Sequence, residues 1–325
     1  MKDYLVGMDI GGTKTGVAIG TRSGRLIASA RFPTTPERGV DRVLARFKIV
    51  VDELLQKQGI ALAEVEAVGI ACGGPLDRAS GRLFAPPNLA VWGEAPVVEL
   101  VEERLGVKAY LENDANAGAL AEWKFGAARG LKNVIFLTFG TGLGAGLILD
   151  GRLYRGASDL AGEAGHIRLA DDGPLGYGKN GSFEGFCSGG GLPGLARMIA
   201  AGEAKNGRSA GSSPWEQDLE HLAAHDIVSA AKAGDPAAQK VMSISARYLG
   251  RGISILIDLL NPEAVVIGSI FARAESLLRP GMEEEIKAEA LELAASKCKV
   301  LPALLGEELG YYASLSVAME ALGEF

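Results

Sequence analysis

DIGGTKTGVAI at residues 9–19 and TFGTGLGAGLI at residues 138–148 decide the fold of this chain. Each stretch is predicted to form a strand, a glycine turn and a returning strand. The second stretch therefore repeats the first, and the chain contains an internal duplication. Two copies separated by mixed α/β sequence exclude a solenoid, in which many short repeats stack. They favour two related α/β domains with a cleft between them.

Hydrophobic spacing predicts the elements around these turns. Apolar residues at helical intervals predict an amphipathic helix over residues 39–58. A strand from Val65 to Ala71, a loop from Cys72 to Ala90 and a strand from Val107 to Leu111 follow. The elements predicted for the carboxyl half are the helices Ile227–Ala233, Pro236–Leu260, Met282–Ala295 and Tyr311–Leu322 and the strand Ala264–Ile267.

Length, charge and cysteine usage narrow the class of protein. The chain has 325 residues and a formal net charge of -7. At roughly 150 residues per domain, this length predicts two domains. The acidic balance argues against binding to nucleic acid or to an anionic membrane, and the apolar stretches are too short for a membrane span. The cysteines Cys72, Cys187 and Cys298 lie far apart, which indicates a reducing compartment. We predict a cytoplasmic protein.

The glycine turns suit a phosphate. Gly11, Gly12 and Thr13 offer successive backbone N–H groups without bulky side chains, and Lys14 adds an ammonium group. Neither turn has P-loop spacing, and a strand instead of a helix follows the second turn, so a dinucleotide fingerprint is excluded. Taken singly, each turn is equally compatible with an ordinary hairpin, and Lys14 with a solvated turn lysine.

These paired turns and a series of further motifs resemble the sugar kinases of the ROK family, within the actin-like ATPase superfamily. The resemblance covers nearly the whole chain. The matching motifs are DIGGTKT at residues 9–15, GGPLD at 73–77, PNL at 87–89 followed by Trp92, ENDAN at 112–116, the turn at 138–146 and LAGEAGH at 160–166.

The resemblance implies a fold and an activity. The fold would be α/β, with two ribonuclease-H-like domains around a central cleft. A small domain would comprise residues 1–112 and the carboxyl-terminal helix at about 311–325, and a large domain residues 113–310. The activity would be ATP-dependent phosphorylation of a hexose at its 6-hydroxyl, the hexose being glucose or a close relative such as an N-acetylhexosamine. A homodimer is also expected.

The resemblance further implies roles for individual residues. Asp114 matches the general base, and Asp9 matches the residue that orients Mg²⁺, usually through water. Without the family context, Asn113-Asp114 is equally a helix N-cap, and Glu163 with His166 is also compatible with a surface turn. The residues expected to bind the sugar are Gly81, Arg82, Asn88, Asn113, Asp114, Glu163, His166 and Glu184. Those expected to bind ATP are Gly11, Gly12, Thr13, Lys14, Thr141, Gly142 and Gly268.

The sequence departs from the family pattern at three places. Many ROK kinases bind a structural zinc through a histidine and three cysteines of a CxCGxxGCxE segment. Here the matching residues 175–184 read LGYGKNGSFE, and no cysteine remains. Because tetrahedral zinc needs four ligands, we expect no zinc site. In the nucleotide half, Ser269 replaces the second glycine of a pair, and the last helix begins with Tyr311 and Tyr312 where smaller residues are common.

Two other functions compete with a hexose kinase. The first is a sugar-sensing regulator of transcription, since part of the family carries an amino-terminal helix-turn-helix. The first strand is predicted to begin at Tyr4, and the acidic charge argues against DNA. The second is a degenerate kinase that binds sugar without turnover, which the departures suggest and the intact Asp9 and Asp114 oppose.

Overall fold

The computed structural model describes residues 2–205, 213–268 and 270–325. The chain divides into two compact units. Unit 1 comprises residues 1–130, 155–159 and 304–325, and unit 2 comprises residues 131–154 and 160–303. Among the described residues, no helix is both long and apolar enough to cross a membrane.

Strands and helices are interspersed along the chain. The strands are β1 Tyr4–Ile10, β2 Lys14–Thr21, β3 Leu26–Pro33, β4 Val65–Cys72, β5 Leu76–Asp77, β6 Arg82–Phe84, β7 Glu94–Ala95, β8 Lys108–Asn113, β9 Val134–Leu137, β10 Ala145–Leu149, β11 Arg152–Tyr154, β12 Leu175–Gly176, β13 Lys179–Asn180, β14 Ala264–Ile267 and β15 Lys299–Pro302. The helices are α1 Val40–Gln58, α2 Val97–Leu105, α3 Asp114–Lys124, α4 Phe183–Cys187, α5 Gly191–Lys205, α6 Ala224–Lys232, α7 Pro236–Leu260, α8 Ile270–Glu289, α9 Glu292–Ala295 and α10 Leu309–Ala321.

Unit 1 is built on a five-stranded sheet in the order β3-β2-β1-β4-β8. β1 runs antiparallel to β2 and parallel to β4, which in turn pairs in parallel with β8. Helices α1 and α2 contribute Phe47 and Val101 to a core with the strand residues Val6 and Ile70. Helix α10 contacts β1 and β4 and also packs against α3. The parallel strands therefore end at the turns that carry the predicted catalytic residues.

Unit 2 repeats this arrangement in the order β11-β10-β9-β14-β15. β9 runs antiparallel to β10 and parallel to β14, as β1 does to β2 and β4. Its core joins strand residues such as Ile135 and Val265 to Leu249 of α7 and Leu278 of α8. The two glycine turns lie between β1 and β2 and between β9 and β10, so the predicted duplication of a strand, a turn and a strand is confirmed.

The division into units differs from the predicted boundary after residue 112. Helix α3 lies in unit 1, because it packs against α10 and β4 of that unit. The chain also returns to unit 1 for residues 155–159. Nothing in the local sequence signals this return.

Two regions contain more regular structure than predicted. The expected loop at Cys72–Ala90 contains β5, β6 and the start of a 3-10 helix at Pro87–Trp92, with β6 pairing to β5 and β7. Helices α4 and α5 were not predicted, because glycines interrupt the apolar pattern from Gly185 to Gly194. Packing of Phe186 and Leu192 into the core of unit 2 compensates for that weak helix propensity.

Candidate active site

The turn from β8 into α3 presents the predicted base. Asn113 is the N-cap of α3, since its Oδ1 accepts hydrogen bonds from the N–H groups of Ala115 at 2.9 Å and Asn116 at 3.4 Å. Asp114 is the first residue of the helix, and its side chain is exposed. The cap and the candidate base are therefore different residues, so the two readings of Asn113-Asp114 are compatible.

The two carboxylates of this region have raised pKa values. Asp114 is accessible to solvent, but the protein packed around its carboxylate desolvates it in part and raises its pKa, although the Ala115 N–H opposes the shift. Burial and then the charge of Asp114 raise the pKa of Asp9 to about 6, against a lowering contribution from Arg31. Because the charge of Asp114 disfavours ionisation of Asp9, the two carboxylates form a site that attracts a cation or a proton.

Unit 1 brings several predicted residues to the ends of its strands. A Cβ atom added at Gly73 would lie 3.8 Å from Oδ2 of Asp114. At Gly12 a Cβ would lie 2.7 Å from the Cβ of Asn88, too close for any side chain. Gly12 is therefore close to Asn88, and Gly73 is close to Asp114. The charge of Asp114 also acts on Asp9.

Hydrogen bonds within the first glycine turn limit which of its groups can bind phosphate. The Gly11 N–H donates to the Lys14 carbonyl at 3.0 Å. The buried Thr34, which sequence reasoning missed, donates from its hydroxyl to the Gly11 carbonyl at 2.6 Å. Since Gly11 is engaged inside the turn, the N–H groups of Gly12 and Thr13 are the better candidates for a phosphate. Lys14 is exposed.

The second glycine turn is held by its own threonine and by Glu184. The Gly144 N–H donates to Oγ1 of Thr138 at 2.9 Å, which closes the turn. The Leu143 N–H donates to Oε2 of Glu184 at 3.0 Å. The carbonyls of Gly140 and Thr141 accept hydrogen bonds from the N–H groups of Gly189 and Gly190 at 2.7 and 2.9 Å. The turn is therefore fixed from outside before any ligand binds.

Glu163, His166 and Glu184 lie in one region of unit 2. Glu163 precedes a 3-10 helix at Ala164–His166. Gly162 has a φ of +93°, and a Cβ there would meet the Ala145 carbonyl at 2.0 Å. Gly165 is equally close to the Leu143 carbonyl and lies beside the side chain of Glu184. These two glycines let the loop pack directly on the second glycine turn.

A short hairpin takes the place of the zinc segment. Strands β12 and β13 pair antiparallel, and the ammonium of Lys179 in β13 donates to the His166 carbonyl at 2.7 Å. The rings of His166 and Tyr177 meet edge to face with centroids 5.0 Å apart. Ser182 caps α4 by accepting a hydrogen bond from the Gly185 N–H at 3.1 Å. These contacts stabilise the loop without thiolate ligands, and the absence of zinc stays a prediction.

Three residues that are predicted to bind sugar or ATP make contacts within their own units that do not involve the other predicted site residues. Gly81 is buried, and its carbonyl accepts from the Val98 N–H at 3.2 Å. Arg82 forms an ion pair with Glu94 at 3.0 Å. Gly268 follows β14 and donates its N–H to the Leu137 carbonyl at 3.0 Å. Their roles in binding stay predictions, and Ser269 lies outside the described residues.

The bulky start of α10 packs within unit 1. The Arg31 guanidinium lies over the Tyr311 ring, with its Cζ 4.9 Å from the ring centroid. The same ring fills the space next to Gly16. The Tyr312 ring lies 5.3 Å from that of Phe125. Both tyrosines therefore have structural contacts of their own.

Comparisons with known proteins agree with this architecture. The ROK family model matches residues 5–320. A glucokinase of Halalkalibacterium halodurans is 31% identical over 310 residues, which cover 94% of this chain and 92% of that protein. The crystal structure of a ROK family glucokinase from Streptomyces griseus in complex with glucose and AMPPNP has a TM-score of 0.77 at 30% identity, with 97% of this chain and 98% of that chain covered. A xylose repressor of Caldicellulosiruptor bescii is 27% identical over 311 residues, which cover 93% of this chain and 76% of that protein.

The fold is that of the actin-like ATPases, with two ribonuclease-H-like α/β domains, as predicted. The chain belongs to the ROK family. The resemblance inferred from the motifs is thereby confirmed, and the similarity to curated glucokinases supports a sugar kinase.

Proposed function

We propose that this protein is an ATP-dependent hexose kinase that phosphorylates glucose or a close relative at the 6-hydroxyl. The observation that carries the proposal is the exposed Asp114 carboxylate at the start of α3, with Asn113 as a separate cap. Similarity to glucokinases over nearly the whole chain supports the same class of reaction.

Asp114 would act as the general base. Its pKa is raised above that of an ordinary aspartate, which makes the carboxylate a better proton acceptor. As the sugar oxygen attacks the γ-phosphorus, the hydroxyl proton passes to Asp114. The Asn113 side chain remains bound to the amides of α3, so the direction of the turn does not depend on the proton that Asp114 holds.

Asp9 fits a magnesium ion. Burial and the charge of Asp114 raise the pKa of Asp9 to about 6, and a divalent cation would relieve that repulsion. Mg²⁺ is often held by only one or two carboxylates together with substrate phosphates and several waters, so Asp9, acting through water, would be sufficient and would leave Asp114 free as the base. The described residues contain no cluster of three or more metal-ligating side chains, which suits a water-rich site. When bound, Mg²⁺ neutralises charge on the transferred phosphoryl group.

The remaining site residues bind the two substrates. The N–H groups of Gly12 and Thr13 and of Thr141 and Gly142 would hold the phosphates of ATP. Gly268 would lie near the adenosine. The sugar would be bound by Asn88, Asn113, Glu163, His166 and Glu184. We further propose a cytoplasmic homodimer without a nucleic-acid partner.

Replacing Asp114 tests the proposal. Asp114→Asn keeps the shape of the side chain and removes the base, so kcat should fall roughly 10²-fold or more while sugar affinity changes little. ADP release and sugar binding would be measured across hexoses and N-acetylhexosamines. The control is Asp52→Asn on the exposed face of α1, which should match the wild type. Near wild-type turnover of Asp114→Asn would contradict the assignment.

A sugar-binding regulator or degenerate kinase is the second candidate. Its supporting observation is the similarity to the xylose repressor, which this chain covers to 76% of its length. This function predicts sugar binding without ADP release for every hexose tested. The same panel of hexoses and N-acetylhexosamines therefore separates the two candidates.

A further inference from the structure

Residues 155–159, the crossing segment, belong to unit 1 although the chain on either side belongs to unit 2. The segment follows β11 and precedes the loop that carries Glu163. Three ion pairs among the described residues link it to other parts of unit 1. Asp159 lies 3.8 Å from Arg78, and Arg155 lies between two carboxylates.

Arg155 connects β8 to α10. Its Nε donates to Oε2 of Glu112 at 2.7 Å, and its Nη2 lies 3.0 Å from Oε2 of Glu320. The side chain of Glu112 is only 4% exposed, and that of Arg155 is 16% exposed. A carboxylate buried this deeply keeps its charge only with a partner. Arg155 supplies that partner from a segment more than forty residues along the chain.

The other carboxylate oxygen of Glu112 accepts hydrogen bonds from the turn that leads from β8 into α3. Oε1 accepts a hydrogen bond from the Asn113 N–H at 2.9 Å and another from Nδ2 of Asn116 at 3.0 Å. Asn113 caps α3 immediately before Asp114, and Asn116 lies in the first turn of that helix. A continuous chain of hydrogen bonds therefore runs from Arg155 through Glu112 to the residues on both sides of Asp114.

We propose that Arg155 is a positioning residue for phosphoryl transfer, acting through Glu112 on the turn that carries Asp114. The inference rests on the proposed function. Without Arg155, the buried Glu112 carboxylate would lose its cationic partner and would turn toward water. The Asn113 N–H and the Asn116 amide would then lose their acceptor, and Asp114 would lose its fixed direction.

A cavity next to Arg155 makes the proposal open to chemical rescue. The cavity has a volume of about 540 Å³ and lies within unit 1. Its lining includes Arg155, Glu112, Glu320, Arg78, Lys108 and Val317. Arg155→Ala would extend this space up to the Glu112 carboxylate, so a free guanidinium ion could enter and occupy the place of the lost side chain.

The first experiment measures turnover with and without guanidinium. Arg155→Ala should lower kcat about tenfold or more and change the KM for sugar less than about threefold, because the sugar contacts remain. Millimolar guanidinium chloride should restore part of kcat, and sodium chloride at the same concentration should not. The control is Arg78→Ala, which loosens the same segment without touching Glu112 and should keep wild-type kcat. A kcat within about twofold of wild type, or equal recovery with both salts, would overturn the proposal.

Two further readouts test the path through Glu112, and the first of them does not depend on the proposed function. Hydrogen exchange of the amides at residues 113–117 should rise in Arg155→Ala and not in Arg78→Ala, whether or not the wild type phosphorylates a sugar. In turnover assays, Arg155→Ala combined with Glu112→Gln should lose no more activity than Arg155→Ala alone, because both changes break the same path. Losses that multiply, or unchanged exchange at α3, would show that Arg155 does not act through Glu112.

Discussion

Asp9 is a residue whose charge opposes folding. Its pKa is 3.8 when unperturbed and about 6 in the folded chain, because burial and Asp114 disfavour the carboxylate. Between these values the folded chain holds a proton that the unfolded chain has lost. The contribution of Asp9 to stability therefore falls as pH rises through this window, and its cost is complete above about pH 6.

Asp9→Asn should consequently stabilise the metal-free protein above about pH 6. Asparagine has no charge to bury, so the gain should approach roughly 3 kcal/mol at most and should vanish near pH 4. Urea unfolding in the presence of a chelator, at pH 4 and at pH 8, measures the difference in the free energy of unfolding between the variant and the wild type. Added Mg²⁺ should reduce it by stabilising only the wild type. A variant less stable than the wild type at pH 8 would contradict the pKa of Asp9.

Lys179 is a residue whose charged side chain stabilises the loop that carries His166. Lys179→Met removes the hydrogen bond to the His166 carbonyl and keeps the length of the side chain. We expect the KM for sugar to rise roughly tenfold or more with a smaller change in kcat, because a hydrogen bond with a charged partner contributes about 1.5 to 3 kcal/mol. Lys57→Met on the exposed end of α1 is the matched control. A lower kcat at unchanged KM would place Lys179 outside sugar binding.

At the level of elements, α10 reaches the sheet of unit 1 through glycines. A Cβ at Gly69 of β4 would lie 2.0 Å from the Ser314 carbonyl oxygen and 2.7 Å from the Ala318 nitrogen, both in α10. No side chain relieves such contacts, since both atoms are backbone. The helix and the sheet can approach this closely only because the strand residue is glycine.

Gly69→Ala should therefore destabilise the protein by at least about 2 kcal/mol, since α10 must move away from β4. Urea unfolding followed by circular dichroism gives the change in free energy. Among the described residues, and leaving aside the neighbouring backbone of α5, no atom lies within 4 Å of a Cβ added at Gly202. Gly202→Ala should therefore be neutral or stabilising by up to about 1 kcal/mol. Equal stability of the two variants would show that α10 does not pack on β4 as described.

The sequence predicts elements well where their signals are local. The predicted bounds Pro236–Leu260 of α7 are confirmed, because Asp235 caps the helix, proline begins it and Asn261 ends it in a left-handed conformation. The sequence predicts one helix over Met282–Ala295, whereas α8 begins at Ile270 and ends at Glu289 and α9 is separate. The structure continues the helix through Pro280, since Leu278 and Met282 are fully buried on either side. Tertiary packing there overrides a local signal.

The same distinction applies to the candidate site. The motif residues from Glu112 to Asn116 are adjacent in sequence, and their position at the start of α3 could be predicted from strand and helix signals. Arg155 could not be found in this way, because its contact with Glu112 spans 43 residues and follows no repeating pattern. The support that Lys179 gives to His166 likewise depends on the geometry of the β12–β13 hairpin.

At the level of the whole molecule, the chain crosses between the two units after residues 130, 154, 159 and 303. The last crossing returns α10 to unit 1, where Leu315, Ala318 and Met319 are buried against strand residues such as Leu5. Neither unit is therefore a continuous piece of sequence. The predicted sugar contacts Glu163, His166 and Glu184 belong to unit 2, whereas Asp114 belongs to unit 1.

The family resemblance leads to a prediction about the orientation of the sugar. If Glu163, His166 and Glu184 hold the ring around its anomeric carbon, as that resemblance implies, the primary hydroxyl is left for Asp114 and the product is a 6-phosphate. Buried polar groups that lose a partner cost roughly 1 to 3 kcal/mol each. 6-Deoxyglucose should therefore bind without reacting, and 1-deoxyglucose should bind roughly tenfold or more weakly than glucose.

His166→Ala should remove most of the difference in affinity between glucose and 1-deoxyglucose, because the ring nitrogen that it deletes is the group predicted to read the anomeric hydroxyl. Phosphorus NMR of the product identifies the phosphorylated carbon, and calorimetric titration gives the affinities of the deoxy sugars. His221→Ala is the matched control, since that histidine pairs with Asp218 on the exposed surface of unit 2. If the product is a sugar 1-phosphate, or if 1-deoxyglucose binds the wild type as tightly as glucose does, the predicted orientation is wrong. Glu163, His166 and Glu184 would then not bind the anomeric end of the sugar.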